Sequence, residues 1–167
     1  MRRLVVVLAV AGVMLAGCRA PSPSVSPSAA CPSGQVPADL RLPEPGHIRL
    51  MVLNGSGVKG KAKDVSVTLG QHGFQVLAAT AEVPPVDEVA LVRYGPRTVG
   101  AAQVVRAYFL DQAKPEFSID DRDDLVEIVV GTKFRELGSK TEVNQTLARM
   151  GQPTAPPGTC AIDRINR

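Results

Sequence analysis

The sequence predicts an α+β domain of the split βαβ type, in which helices cover one face of a mainly antiparallel sheet and one further helix is appended at the C-terminus. Short apolar runs of strand length alternate with segments whose apolar residues recur every three or four positions. Gly, Pro and Asn lie at most of the junctions between these segments. The 167 residues are enough to bury one core of ordinary size.

The first half of this pattern predicts two strands around one helix. Residues 48–53 form an apolar run that ends at a glycine-rich turn, which is typical of a strand. Apolar residues then recur at helical spacing over 58–69, and Gly70 and Gly73 mark the end of that helix. Residues 74–79 predict the second strand.

The second half repeats the alternation. Residues 89–93 predict a third strand, and Thr98 is a candidate N-cap for a helix over 99–110. Residues 117–119 predict a short edge strand. Residues 125–130, with Glu127 as their one charge, predict the last strand and give the strongest strand signal in the chain.

A capping box predicts the appended helix. Ser139 is followed three positions later by Glu142, and the apolar pattern continues to Gly151, which ends the helix. The predicted domain therefore spans residues 47–151, and the proline-containing residues 152–167 form an irregular tail.

The N-terminus has the layout of a signal peptide. Arg2 and Arg3 precede an apolar run that ends in Leu15-Ala16-Gly17-Cys18, and this run is shorter than the roughly 20 residues that span a bilayer. The Leu-Ala-Gly-Cys end resembles the lipobox of bacterial lipoproteins. That resemblance implies removal of residues 1–17 and lipidation of Cys18, with palmitate among the acyl chains, at the outer face of the cell membrane. Ordinary secretory cleavage near a cysteine is the alternative.

A spacer and one disulfide are expected in the exported chain. Residues 18–46 are rich in Pro and Ser, a composition typical of a semi-rigid spacer. Cys31 and Cys160 remain once Cys18 is lipidated, and two remaining cysteines usually pair in an oxidising compartment. Two free thiols are the alternative.

Charge and aromatic content argue against nucleic-acid binding. Removing Arg2 and Arg3 from the formal net charge of +3 leaves +1 for the mature chain. The chain has no Trp, four Phe and two Tyr, so stacking surfaces for bases or sugars are scarce.

The glycine-rich turn after the first predicted strand matches two nucleotide-binding patterns. Gly55 to Lys61 fits both G-x-G-x-x-G and G-x-x-x-x-G-K. Ala62 stands where a P-loop needs Ser or Thr, and Glu82 fits the acidic position of a dinucleotide site only approximately. ATP and NAD are also not expected outside the cytoplasm, so no nucleotide is expected as a ligand.

Two interpretations of this turn remain. In the structural one, its glycines supply positive φ angles and close packing. In the functional one, backbone N–H groups at the helix start act with three lysines to bind an anion, such as a phosphorylated wall polymer. The candidate contact residues are Asn54, Gly55, Ser56, Gly57, Lys59, Lys61 and Lys63.

The other polar clusters predict no chemistry. The acidic residues 120–124 lack the ligand spacing of a calcium loop and predict a solvated turn. His47 and His72 have no partners at zinc-ligand spacing. No catalytic constellation is found, so we expect no enzyme activity, no metal and no cofactor.

Several short motifs, in order, resemble the LytR C-terminal domain family over roughly residues 46–137. The family occurs behind LytR-CpsA-Psr phosphotransferases, which attach polymers to the cell wall, and alone on membrane anchors in actinobacteria. The catalytic phosphotransferase domain has no counterpart here. The motifs are Val52-Leu53-Asn54-Gly55-Ser56-Gly57 with Gly60 and Ala62, Gly73-Phe74, Val92-Arg93-Tyr94, and the residues 124–131 with Phe134.

The resemblance implies an accessory protein without catalytic residues. The helix before Gly151 and the terminal Cys160 are similar to a stand-alone type of the family that supports envelope integrity from a transmembrane anchor. The implied partners are a wall polymer or a LytR-CpsA-Psr-type enzyme, beside the lipid anchor in the membrane. The alternative is a protein–protein scaffold, whose exposed edge near Phe117 and Ile119 accepts a partner strand.

Overall fold

The computed structural model describes residues 31–77 and 81–162. The predicted signal peptide and Cys18 lie outside these residues. No helix in the described part of the chain combines the length and the apolar composition needed to cross a membrane. The strands are β1 (Val36–Ala38), β2 (Arg49–Asn54), β3 (Gln75–Val76), β4 (Ala90–Tyr94), β5 (Lys114–Phe117), β6 (Leu125–Val130) and β7 (Thr159–Ala161), and the helices are α1 (Lys61–Gln71), α2 (Val99–Tyr108) and α3 (Lys140–Met150).

The predicted α+β class is confirmed, but the strand directions differ from the expectation. The main sheet has the order β3-β2-β6-β4-β5, and only β4 and β6 pair antiparallel, while the other three ladders are parallel. The mainly antiparallel split βαβ sheet was therefore wrong. Helices α1 and α2 each return the chain to the strand directly beside the one it left, so both units are plain parallel crossovers.

Strand β6 separates these two crossover units. Because it runs parallel to β2 and antiparallel to β4, the two units end at opposite edges of the sheet. We use the name turn edge for the end of the sheet at which β2 ends at Asn54 and β6 ends at Val130. The opposite edge, where β2 begins at Arg49 and β4 ends at Tyr94, is called the strap edge.

One face of the sheet carries the core, and both crossover helices cover it, as expected. Alternate residues of β2 and β6, such as Val52 and Ile128, are buried there against Leu69 of α1 and Val105 of α2. All these core residues and both cysteines of the disulfide lie within the described residues. The described residues therefore contain a hydrophobic core and a disulfide of their own, as expected of a unit that folds independently.

The predicted capping box of α3 is confirmed. The Ser139 hydroxyl accepts a hydrogen bond from the backbone N–H of Glu142, whose carboxylate accepts from the Ser139 backbone N–H at 2.8 Å. The Ser139 hydroxyl and N–H lower the pKa of Glu142. The cap therefore contributes its full share of folding stability at pH values above the ordinary carboxyl pKa. This stability is lost as the pH falls through the lowered pKa of Glu142. Thr98 differs from the expectation, because its hydroxyl bonds Gly95 and does not cap α2.

Two short strands lie where only a spacer and an irregular tail were expected. Strands β1 and β7 form a parallel pair in which Val36 is opposite Thr159. A pair of three-residue strands is too short to be stable alone. Cys31 and Cys160 form a disulfide with their Cα atoms 5.7 Å apart, and this bond holds the two strands together.

Residues 39–43, which we call the strap, cross the start of α2. The Asp39 N–H donates to the Pro96 carbonyl at 2.8 Å, and the Gly100 N–H donates to the Asp39 carbonyl at 3.0 Å. A Cβ atom on Gly100 would lie 1.7 Å from the Arg41 carbonyl oxygen, so only glycine permits this approach. The strap is thus an ordered part of the domain.

The disulfide is expected to supply a large share of the stability. Its two cysteines are 129 positions apart, and the chain-entropy model gives about 5 kcal/mol as the upper limit for a loop of that length. We expect the paired change Cys31→Ser and Cys160→Ser to lower the free energy of unfolding by about 2–5 kcal/mol in denaturant titrations. Reduction of the unaltered protein should reproduce the loss, and an intact mass equal to that of the fully reduced chain would contradict the bridge.

Candidate functional site

Asn54, the last residue of β2, is the centre of the glycine-rich turn. Its side chain is 1% exposed and uses both its donor and its acceptor capacity. The Nδ2 group donates to the Val58 carbonyl at 2.8 Å and to the Glu82 carboxylate at 3.0 Å. The Oδ1 atom accepts from the Ser56 hydroxyl at 2.7 Å and from its backbone N–H at 3.2 Å. The turn is therefore held by one fully bonded amide.

Several backbone N–H groups of the turn are engaged within the domain. The Val58 N–H donates to the Ser56 hydroxyl at 3.1 Å, and the Gly55 N–H donates to the Val130 carbonyl at 2.9 Å. A P-loop instead leaves such groups open toward its ligand. The turn therefore differs from a P-loop in the direction of these N–H groups.

The glycines meet the geometric demands that the structural interpretation assigns to them. Gly57 and Gly60 have φ angles of 73° and 83°. A Cβ atom on Gly55 would lie 2.9 Å from the Cγ1 atom of Val129. Positive φ and close packing, the two features expected of this turn, are thus both present.

Glu82 was considered only as the acidic residue of a dinucleotide site, and the sequence did not predict its contact with Asn54. It lies 28 positions after Asn54, and its carboxylate accepts from the Asn54 amide within a parallel bridge between the two residues. The signal in the sequence is that the polar Asn54 follows four apolar residues, 50–53, in one strand. A buried amide at that position requires hydrogen-bond partners, but the neighbouring sequence does not identify them.

The three candidate lysines do not lie on one surface. Successive helical residues turn by about 100°, so Lys61 and Lys63 point about 200° apart around α1. Lys59 and Lys63 are exposed, whereas Lys61 is half-buried. Among the described residues, none of the three takes part in an ion pair, which leaves Lys59 and Lys63 open to solution.

Lys61 lines a separate groove between α1 and residues 134–142. This α1–α3 groove has a volume of about 490 Å³, and its lining includes Val65, Phe134 and Leu137. Lys61 and Arg135 share this lining with Asp64, Glu136 and Glu142, so the groove carries a formal net charge of one negative unit.

The remaining polar clusters are structural in the described residues. The backbone N–H of Asp123 donates to the Asp121 carboxylate at 3.0 Å, which makes the expected aspartate turn. His72 packs against the edge of the Tyr108 ring, with the ring centroids 5.0 Å apart. Within residues 31–77 and 81–162, no three or more His, Cys, Asp or Glu side chains cluster closely enough to hold a metal ion.

The edge strand predicted at residues 117–119 lies earlier in the chain, as β5 at Lys114–Phe117, and it is poorly suited to accept a partner strand. The Ser118 N–H donates to the Tyr94 carbonyl at 3.0 Å, so even-numbered residues of β5 direct their N–H groups toward β4. Pro115 therefore falls among the outward-facing residues, where a donor is missing. Ile119 lies beyond the strand and packs against Gly158.

Comparison with known families and structures places these features in context. A family model described as "LytR cell envelope-related transcriptional attenuator" matches residues 47–134. The crystal structure of the soluble domain of a conserved hypothetical secreted protein from Mycobacterium marinum is 29% identical, with a TM-score of 0.53 over 60% of this chain and 70% of that chain. The solution structure of the C-terminal domain of RV0431 is 21% identical, with a TM-score of 0.34 over 78% of this chain and 96% of that chain. No curated protein matches the chain.

Removing the Asn54 amide should destabilise the domain. We expect Asn54→Ala to lower the free energy of unfolding by about 2–3 kcal/mol, because the Ser56 and Glu82 groups lose their buried partner. Denaturant titration measures this loss. Lys59→Ala in the same turn is the control, with a change of at most about 0.5 kcal/mol. Equal stability of the two variants would show that the amide network does not hold the turn.

Proposed function

This chain belongs to the LytR C-terminal domain family, and from that membership we propose that it is a lipid-anchored accessory protein that contacts an anionic cell-wall polymer without catalysing a reaction. The family and the secreted structural neighbour make it a cell-envelope-associated, extracytoplasmic domain. The finer parts of the proposal are the anchor at Cys18 and the contact surface at the turn edge.

The exposed lysines on a rigid turn are the observation that supports polymer contact. Lys59 follows the loop that Asn54 and Ser56 hold through their side-chain hydrogen bonds. A charge presented by a preorganised loop loses little conformational entropy on binding. Lys59 and Lys63 together would attract phosphate or carboxylate groups spaced along a polymer, each contact being weak and additive.

The tether supports the same arrangement. Twelve residues lie between Cys18 and Cys31, and a fully extended chain between the two cysteines spans at most roughly 45 Å. The strap and the β1–β7 pair carry the chain into the strap edge, so the turn edge lies at the end of the domain away from the tether. The lysines would then face outward from the membrane.

Cosedimentation with insoluble cell wall tests the contact. We expect residues 31–167 to sediment with the wall at low salt and to be released at high salt, because surface charges are screened. Lys59→Ala and Lys63→Ala should each weaken sedimentation more than Lys61→Ala, whose position lies in the α1–α3 groove. Arg122→Ala, an equal loss of charge at the strap edge, is the control. Salt-independent sedimentation, or equal losses in all four variants, would refute polymer contact through the turn.

The anchor has its own test. The full-length protein extracted from membranes should carry the mass of a chain that begins at Cys18 with attached acyl groups, and Cys18→Ser should release it from the membrane fraction. A mature chain that lacks acyl mass would refute the anchor and leave the cosedimentation result unaffected.

The α1–α3 groove favours the alternative, a protein–protein scaffold. Val65, Phe134 and Leu137 give it apolar lining that a peptide segment of a wall-assembly enzyme could bury. Binding of this kind depends on apolar area and changes little with salt. Crosslinking from the groove at high salt would therefore separate it from polymer contact.

A further inference from the structure

We propose that a groove at the strap edge binds the phosphodiester of an anionic phospholipid headgroup, so that the domain docks on the membrane surface beside its own tether. The inference rests on the proposed function only in placing the domain at a membrane. The groove lies between the strap and the start of α2, and its volume is about 490 Å³. We call it the arginine groove, after Arg41, Arg49 and Arg97 in its lining.

Two of these arginines are held in place by carboxylates. Asp39 accepts from Nε of Arg41 at 2.9 Å and pairs with its Nη2 at 2.5 Å. Asp124 pairs with Nη1 of Arg49 at 2.5 Å. A guanidinium has five N–H donors, so each side chain keeps donors for a further acceptor while it is paired with its carboxylate.

The third arginine supplies the excess charge. Arg97 is exposed and forms no ion pair within the described residues. The three arginines and two aspartates of the lining sum to a formal charge of one positive unit. A phosphodiester carries one negative charge, so its charge matches that of the lining.

The apolar part of the groove favours a lipid over a soluble phosphate. Ile48 lines the groove and is buried, whereas Leu42 of the strap is 38% exposed beside the arginines. An exposed leucine next to cationic groups is suited to the interface between headgroups and acyl chains. A sugar phosphate offers no apolar surface for Leu42 to contact.

The route of the chain places this groove on the tether side. A smaller cavity of about 240 Å³ shares Asp39 and Arg97 with the groove and extends to Pro37 of β1 and to Ile162 after β7. Pro37 lies six residues after Cys31, where the tether enters the domain. The lysines of the turn edge lie at the other end of the six-residue β2, roughly 20 Å away. The two surfaces therefore face different partners.

Vesicle flotation tests the proposal with residues 31–167, which lack the anchor and fold on their own. We expect binding to phosphatidylcholine vesicles that contain phosphatidylglycerol and no binding to phosphatidylcholine alone. Arg97→Gln should weaken binding about fivefold, the usual effect of one basic residue at an anionic surface. Arg97→Lys should restore most of it, and Leu42→Ser should weaken it without a change of charge.

Lys114→Gln is the matched control, because it removes one positive charge from the exposed start of β5 at the turn edge. Equal losses in Arg97→Gln and Lys114→Gln would overturn the groove in favour of general attraction by net charge. Binding of soluble glycerophosphoglycerol is measured from amide chemical-shift changes in NMR spectra. Binding of this headgroup without binding to vesicles would overturn the membrane assignment. Unchanged unfolding midpoints confirm that the variants are folded. Wall cosedimentation of the lysine variants is a separate measurement, so a failure of polymer contact does not alter the interpretation of vesicle binding.

Discussion

The two ladders of β6 are the interaction on which the rest of the structure depends. Within the described sheet, β6 alone is hydrogen-bonded to both crossover units, parallel to β2 and antiparallel to β4. Its buried side chains also meet both helices in one core. Because the two units run in opposite directions, this one strand sends the glycine-rich turn to one edge and the arginine groove to the other. The separation of the two surfaces follows from strand direction.

The sequence predicted the elements of this fold better than their pairing. The residues of β6 and the capping box of α3 were predicted as observed, because both signals are local. The direction of pairing is not local, since a strand shows the same alternation of side chains in parallel and antiparallel ladders. The strand–helix–strand order itself favours parallel crossovers, and the preference for an antiparallel sheet gave that constraint too little weight.

In the candidate site, too, local features were predictable from the sequence and contacts between distant residues were not. The glycine geometry was predictable, because φ angles and close packing act within a few residues. The contact between Asn54 and Glu82 joins residues 28 positions apart, and the divergence of Lys61 from Lys63 depends on the helix phase. The ordered strap was not predicted, because a proline-rich segment has the composition of a spacer even where it is extended and hydrogen-bonded.

The disulfide also has a mechanical consequence. Force applied to the domain through a tether would reach Cys31 first, and the bond to Cys160 would divide that load between the strap and the segment leading back to α3. Neither the strap nor the segment after α3 could then detach from the domain by itself, because the disulfide links the two segments covalently. A protein held between a membrane and a wall under turgor would therefore resist extension along its whole tether side.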